Sequence, residues 1–241
     1  MLGKTRGIVL HAIPYSDVYS IVHIYTEQYG RVAYLAPRGR GKKSSVSRAL
    51  FMPLALLDME VYHQPKREVQ RVREAKPSPP LTGIPSDPIK NALALFLSEV
   101  LFRTLRLPTP DPPLFHFLAQ SVLCLEEAAK GTANFHLAFL LALPRFLGIA
   151  PDLGTYAKGC FFDLRNGIFT PTPPLHAHFL DRRESRFFAA LSRINYANMA
   201  LYTFSQAERR AILEQILDYY GLHVPGFFPL KSLPVLQALF S

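Results

Sequence analysis

The feature that most constrains the fold is a proline-rich segment about one third of the way along the chain. Residues 77–88 read PSPPLTGIPSDP and hold five prolines and one glycine. Because proline lacks a backbone N–H and fixes its φ angle, such a segment continues neither a strand nor a helix. We therefore predict a first domain at residues 1–77, a linker at 78–88 and a second domain at 89–241.

Five short segments separated by turn residues predict β-strands in the first domain. They cover residues 5–12, 18–26, 31–35, 54–62 and 67–74, and apolar and polar residues alternate along them. Gln28, Tyr29 and Gly30 predict a tight turn before the third strand, and the polar fifth segment predicts an edge strand. This pattern favours a five-stranded, closed or half-closed barrel of the oligonucleotide-binding (OB) type.

The second domain is predicted to be mostly helical. Asp87 and Pro88 fit the cap and first turn of a helix that reaches residue 107. Further helices are predicted at 114–130, at 134–147 with a break at Pro144, and at 183–195, and a short last helix is predicted to start at Ser232.

Two local motifs add detail to this domain. Ser205 and Glu208 fit a capping box for a helix over 205–220, which Gly221 is predicted to end. Asn166 and Gly167 predict a two-residue hairpin turn near residues 160–170. The predicted class is thus α+β, with an N-terminal OB-type barrel followed by a mostly α-helical domain.

The strongest functional signal lies between the third and fourth predicted strands. Residues 30–53 read GRVAYLAPRGRGKKSSVSRALFMP. Cations at this density, with no acidic residue among them, repel one another and favour an anionic partner. We predict a loop that binds phosphates of a polyanion, the alternative being a solvated basic loop. The predicted contacts are Arg38, Arg40, Lys42, Lys43 and Arg48, with Arg31 beside them and Lys4 and Arg6 as extensions of the same surface.

Charge and aromatic content support the same assignment. The formal net charge is +9, and residues 1–76 hold 13 Lys and Arg against 6 Asp and Glu. The basic module is therefore the first domain. Six tyrosines there offer faces on which bases stack, and Tyr29, in a turn beside Arg31, is the best single candidate. They are Tyr15, Tyr19, Tyr25, Tyr29, Tyr34 and Tyr62.

Cysteine content and apolar patterning predict a cytoplasmic protein. The chain has only Cys124 and Cys160, too few for a disulfide scaffold or a four-thiolate zinc site. The apolar run after Lys4 and Arg6 is too short for a secretory signal. The most apolar window, residues 135–150, is too short to cross a bilayer and contains charged and proline residues.

Three stretches, in this order, resemble the RecO family of bacterial DNA-repair and recombination mediator proteins. They are GIVL at residues 7–10, TEQYGRVAYLAPRGRGKKSSVSRALFMPLALL at 26–57, and PLKSLPVL at 229–236. The resemblance covers nearly the whole chain, although the middle matches only in its helical pattern.

The resemblance implies an OB-fold and a helical domain that bind single- and double-stranded DNA and anneal complementary strands. It also implies partnership with RecR in loading RecA onto DNA covered by single-strand-binding protein, whose acidic C-terminal tail such proteins recognise. The bacterial nucleoid is the implied location. Cations that such a tail needs are available at Arg103, Arg106, Arg145, Arg209, Arg210 and Lys231.

The chain departs from many members of that family at a zinc site. Those relatives carry four cysteines as two C-x-x-C pairs in the helical domain, whereas only Cys160 remains here, with His176 and His178 in place of the second pair. Three ligands at this spacing make a poor zinc site, so we predict no metal and no cofactor. Phe161, Phe162 and Phe169 are expected to pack in its place.

The residues alone leave three other functions open. An RNA-binding module of the same barrel type and an adaptor that docks acidic proteins both fit the basic tract. A nuclease that holds a metal with Asp58 and Glu60 is the third, although a strand at this spacing simply places both carboxylates on its polar face. No catalytic motif is present, so we predict a protein that is not an enzyme.

Overall fold

The computed structural model describes residues 2–37 and 50–239. The chain divides into two compact units. Unit 1 comprises Met1–Glu127 and Leu230–Leu236, and unit 2 comprises Ala128–Pro229 and Gln237–Ser241. The domain boundary at 78–88 stays a prediction.

Unit 1 begins with a closed barrel. Its strands follow the order β1-β2-β3-β5-β4, and β4 pairs with β1 to close it. This confirms the OB-type barrel. The prediction of an edge strand is wrong, because β5 pairs with β3 in parallel and with β4 in antiparallel orientation. The described strands are β1 (Leu2–Pro14), β2 (Tyr19–Thr26), β3 (Gly30–Pro37), β4 (Leu56–Tyr62) and β5 (Val69–Pro77).

Alternating side chains of the strands fill the barrel. Burying an aliphatic side chain of this size contributes about 1.5–3 kcal/mol, so this core is the main stabilising element of the barrel. Leu50 and Phe51 pack against it from the chain segment before β4. The buried residues are Val9, Val22, Ile24, Val32, Tyr34, Ala36, Leu57, Met59 and Val61.

Among the described residues of unit 1, three helices follow the barrel: α1 (Gly83–Ser86), α2 (Pro88–Thr104) and α3 (Pro112–Glu127). The predicted cap of α2 is confirmed, because the Asp87 carboxylate accepts hydrogen bonds from the backbone N–H groups of Ile89 and Lys90. Both α2 and α3 end three residues before the predicted positions. At the end of α3, the Glu126 carboxylate accepts the backbone N–H groups of residues 82–84 and so caps α1.

The described part of unit 2 holds four further α-helices and a small sheet of order β7-β6-β8. The break at Pro144 is confirmed, and Gly148 ends the second helical piece with a φ of 71°. The capping box of Ser205 and Glu208 is also confirmed. The elements are α4 (Phe135–Ala142), α5 (Pro144–Leu147), β6 (Phe161–Asp163), β7 (Ile168–Thr170), β8 (Phe179–Leu180), α6 (Arg182–Leu191) and α7 (Gln206–His223).

Two turn predictions in unit 2 are wrong. The hairpin turn has four residues rather than two, since Asp163 pairs with Ile168 and its carboxylate accepts the backbone N–H groups of Arg165 and Asn166. Gly221 does not end α7, which continues to His223. A Cβ at Gly221 would lie 2.6 Å from the Phe228 ring, so glycine is needed there for close packing rather than for a helix end.

The C-terminal segment returns to unit 1. The Glu99 carboxylate on α2 accepts the backbone N–H groups of Lys231, at 2.9 Å, and Ser232, at 2.7 Å, and also the Ser232 hydroxyl. The last helix, α8 (Leu233–Leu239), begins directly after these residues as predicted. Among the described helices, none has the length and apolar character to cross a membrane.

Candidate nucleic-acid interface

The five predicted phosphate-binding cations, Arg38 to Arg48, lie outside the described residues, but the barrel fixes the chain on both sides of them. Pro37 ends β3 and pairs with Tyr19 of β2. On the far side, Leu54 donates its backbone N–H to the Val9 carbonyl at 2.8 Å, and the Val9 N–H donates to the Ala55 carbonyl at 3.0 Å. Both flanks of the tract therefore belong to the ordered barrel.

Beside Pro37 lies the turn that joins β1 to β2. The Tyr19 carbonyl accepts the backbone N–H groups of Tyr15 and Ser16 at 3.1 and 3.0 Å. The Ser16 hydroxyl oxygen accepts the Val18 and Tyr19 N–H groups. These bonds give the turn a defined shape in which Tyr15 is 67% exposed and Tyr19 is 40% exposed.

The outer face of the same hairpin packs on α2 at His11 and His23. The Phe102 ring lies 4.8 Å from the His11 ring and 5.0 Å from the His23 ring, measured between centroids. Burial lowers the pKa of His23 to about 4, and the nearby Arg31 adds to the effect. His23 is therefore neutral at physiological pH and forms an apolar contact rather than a phosphate contact.

Arg31 joins the barrel to the C-terminal end of α2. One of its Nη atoms donates to the carbonyls of Phe102, at 2.8 Å, and Leu105, at 3.0 Å, which the helix leaves without intrahelical partners. Its guanidinium also lies 4.1 Å above the Phe102 ring. Burial lowers the pKa of Arg31, yet the group keeps its charge. The structure thus shows a packing role for Arg31, and its contact with DNA stays a prediction.

Tyr29 stacks on His63, with ring centroids 4.1 Å apart and planes 11° from parallel. Both rings line a cleft of about 890 Å³ between the β4–β5 loop, the β2–β3 turn and the end of α2. Cations dominate its lining and Glu68 is its one carboxylate among the described residues, so the cleft is electropositive. The cations are Arg31, Lys66, Arg67, Arg103 and Arg106.

The other predicted extensions of the basic surface are paired with carboxylates. Arg6 forms a salt bridge with Glu27 at 2.6 Å, and Lys4 lies 3.7 Å from Glu60. The hydrogen bond from Arg6 lowers the pKa of Glu27. Glu60 also accepts from Arg73 at 3.0 Å. Asp58 and Glu60 share one small cleft with Lys4 and Arg6. Both carboxylates thus lie on the polar face of β4, as expected of a strand.

The residues at the position of the zinc site of relatives are divided between two environments. Cys160 is buried in an apolar cluster with Phe162 and Phe169, whereas the His176 ring lies 3.3 Å from the Asp163 carboxylate. Within residues 2–37 and 50–239, no three His, Cys, Asp or Glu side chains are arranged to hold a metal ion. The absence of a metal stays a prediction.

Two of the cations considered for recognition of an acidic tail have partners in unit 2. Arg209 donates to the Asn134 side-chain oxygen and to the Phe204 carbonyl, each at 3.1 Å. Arg210 forms an i,i+4 pair with Glu214. Neither contact shows which residues would form a groove for a tail.

The sequence pattern missed two features of this surface. The sequence does not distinguish the tyrosines of the β1–β2 turn from the other four, although a turn between two apolar strands is where a side chain stays exposed. Nothing in the sequence singles out Phe102, and only the folded chain shows that it contacts His11, His23 and Arg31.

Comparison with known protein families covers nearly the whole chain. Residues 1–80 match the family described as "Recombination protein O N terminal", and residues 85–234 match "Recombination protein O C terminal".

Full-length relatives show the same similarity. The chain is 44% identical over 241 residues to "DNA repair protein RecO" of Phocaeicola vulgatus and 42% identical over 241 residues to that of Azobacteroides pseudotrichonymphae, with 100% of each chain covered. It is 32% identical over 239 residues to the protein of the same name from Flavobacterium psychrophilum, with 99% of each chain covered.

Proposed function

Because this chain belongs to the RecO family of DNA repair proteins, we propose that it is a DNA-binding mediator of recombinational repair. In this role it binds single- and double-stranded DNA and brings complementary strands together. It acts as a binding protein and not as an enzyme.

The observation that carries the proposal is the basic tract between β3 and β4. Five cations stand there without an acidic residue, and the barrel holds the chain on both sides of them through Pro37 and Leu54. Each phosphate that a Lys or Arg neutralises releases condensed counterions, which drives binding without regard to sequence. Neutralising two backbones also lowers their mutual repulsion, the physical requirement for annealing.

The electropositive cleft of unit 1 extends the proposed surface. Lys66, Arg67 and Arg106 are exposed along its lining, and the stacked pair of Tyr29 and His63 offers an aromatic face within it. We assign Arg31 a supporting role, since its guanidinium binds the end of α2 and holds Phe102 in place.

The proposed partners follow from the family. With RecR, the protein would load RecA onto DNA covered by single-strand-binding protein, and it would recognise the acidic C-terminal tail of the latter. The proposed location is the bacterial cytoplasm, in association with the nucleoid. No metal or cofactor takes part in these steps.

The test is the binding of fluorescently labelled single-stranded DNA, followed by anisotropy across a salt series. One variant replaces Arg38, Arg40, Lys42 and Lys43 with alanine. On single strands log K falls with log salt by about 0.7 for each phosphate contact, so the slope of this variant should be shallower by about 2.8. Annealing of complementary oligonucleotides should slow in parallel.

A matched control removes the same charge elsewhere. Lys130, Lys158, Arg165 and Arg193 are exposed in unit 2, and their replacement by alanine should leave the slope unchanged. Equal weakening by the two variants would show that net charge, and not the tract, governs binding. RNA bound more tightly than DNA would favour the RNA-binding module, absence of nucleic-acid binding would favour the adaptor, and cleavage that requires Mg²⁺ would favour the nuclease.

A further inference from the structure

The β1–β2 turn carries a second half of the DNA site. We infer that Tyr15 and Tyr19 form a stacking platform for the unpaired bases of single-stranded DNA. This inference rests on the proposed function and adds to it the residues that distinguish single-stranded from double-stranded DNA.

Strand register places the two side chains on the same face of the hairpin. Pro14 pairs with Ser20, and the next position along the hairpin brings Tyr15 opposite Tyr19, whose carbonyl accepts the Tyr15 N–H. Directly opposed residues of an antiparallel pair project from the same face with Cβ atoms about 4.5–5.5 Å apart. Both tyrosines are therefore available from one side of the turn.

This surface is open, unlike three other tyrosines of the barrel, whereas the exposed Tyr62 lies at the far end of β1. Tyr25 is 2% exposed and stacks on Phe115, Tyr34 is fully buried, and Tyr29 stacks on His63. Within the described part of the chain, neither Tyr15 nor Tyr19 contacts another aromatic ring. Exposed aromatic rings at an ordered turn leave their faces available to a ligand.

The platform continues along the same face as an apolar strip. Ile13 pairs with Ile21 behind the tyrosines, and Ile13 is 43% exposed. Between Arg6 and Arg31 the chain has no Lys or Arg, and Asp17 is the one charged residue of the turn. The hairpin therefore offers rings and aliphatic surface but no cation, which suits a base and not a phosphate.

The chain enters the predicted phosphate-binding tract from the strand that pairs with Tyr19. Tyr19 pairs with Pro37, and Arg38, the first cation of the tract, follows Pro37 directly. Proteins that bind single strands without sequence preference combine these same two elements, cations for the backbone and aromatic rings for the bases. In a duplex the base faces are covered by neighbouring bases, so the platform has no contact to make there.

The absence of tryptophan from the chain gives a direct test. In the full-length protein, Tyr15→Trp keeps an aromatic ring and introduces a single tryptophan at the platform. Titration with poly-dT oligonucleotide should quench its fluorescence, with the same midpoint as anisotropy of the labelled strand. The same titration of a Leu175→Trp variant should leave the fluorescence unchanged, because Leu175 is fully exposed in unit 2 and does not belong to the hairpin.

Affinity measurements supply the second readout. Loss of one stacked base weakens binding by about 5-fold or more. The double variant Tyr15→Ala/Tyr19→Ala should therefore bind single strands about 25-fold or more weakly while its salt slope and its affinity for duplex DNA stay those of the wild type. Tyr15→Phe/Tyr19→Phe should bind like the wild type, because the rings remain. Leu175→Ala removes an exposed apolar side chain of unit 2 and is the control, which should also be silent.

The outcomes separate this inference from the proposed function. If the tract variant weakens binding but the alanine double variant binds single strands like the wild type, the platform is refuted and the proposed function stands. An unquenched tryptophan at position 15 with bound DNA would likewise refute it and assign the apolar face to a protein partner. If the wild type binds no single strand, both are refuted.

Discussion

The attachment of the C-terminal segment to α2 depends on a single carboxylate, and this makes a sharp stability prediction. Glu99 accepts the N–H groups of Lys231 and Ser232 and the Ser232 hydroxyl. After Glu99→Ala, the exposed Lys231 N–H can bond to water, but Ser232 is 5% exposed and loses two partners. Hydrogen bonds to a charged group contribute about 1.5–3 kcal/mol each, so we expect a loss of about 3 kcal/mol or more.

Amide hydrogen exchange in the full-length protein measures this loss locally. Exchange of the Ser232 amide should accelerate by about 150-fold, since each 1.4 kcal/mol corresponds to a factor of ten. Glu127→Ala, at an exposed position of the same unit, should leave that amide unchanged. Ser232→Ala removes one of the three bonds and should have a smaller effect. If the Ser232 amide exchanged at the wild-type rate in Glu99→Ala, the carboxylate would not be what holds the segment.

The same contact has a defined pH dependence. Burial by itself raises the pKa of Glu99, but the hydrogen bonds from Ser232 and Lys231 outweigh it, so the pKa lies below the ordinary 4.5. The stabilisation is therefore fully present above about pH 4.5 and is lost as the pH falls through the lowered value.

Two further predictions concern glycine and histidine. Gly30 has a φ of 62°, and an added Cβ would lie 2.5 Å from the Thr109 carbonyl oxygen. Gly30→Ala should therefore destabilise unit 1 by about 2 kcal/mol or more in urea unfolding. A loss below about 0.5 kcal/mol would contradict the close approach. His136 is 1% exposed, and burial together with Arg209 lowers its pKa to about 3. Because the unfolded chain takes up this proton near pH 6.5, stability should fall by about 1.4 kcal/mol per pH unit below that value, and His136→Gln, measured across the same range, should show a slope shallower by one proton.

Features that depend on neighbours in the sequence were predictable. The five strands were predicted from their residue patterns. The helix caps at Asp87 and Ser205 were predictable because each side chain accepts hydrogen bonds from backbone N–H groups only two or three residues away. A barrel was predictable too, because five short strands with polar turns have few other ways to cover their edges, but the sequence left open whether it is closed or half-closed, and the structure shows the closed form.

Features that depend on distant contacts were not predictable. Gly221 has the pattern of a helix end, but α7 continues past it. The Phe228 ring lies against the space that a Cβ at this position would fill. The Asp163 carboxylate organises a wider turn than Asn166 and Gly167 indicate. Arg31 looked like a phosphate contact because of its neighbours in the sequence, yet its nearest partners are carbonyls of residues 102 and 105.

The bond between Glu99 and the C-terminal segment also has a consequence for the order of events during synthesis. The two partners are separated by 132 residues, so at about 5–20 residues per second Lys231 is made roughly 7–26 s after Glu99. The whole of Ala128–Pro229 emerges in that interval. The barrel can thus form early on the ribosome, whereas unit 1 waits for residues 230–236 before its final contacts are made.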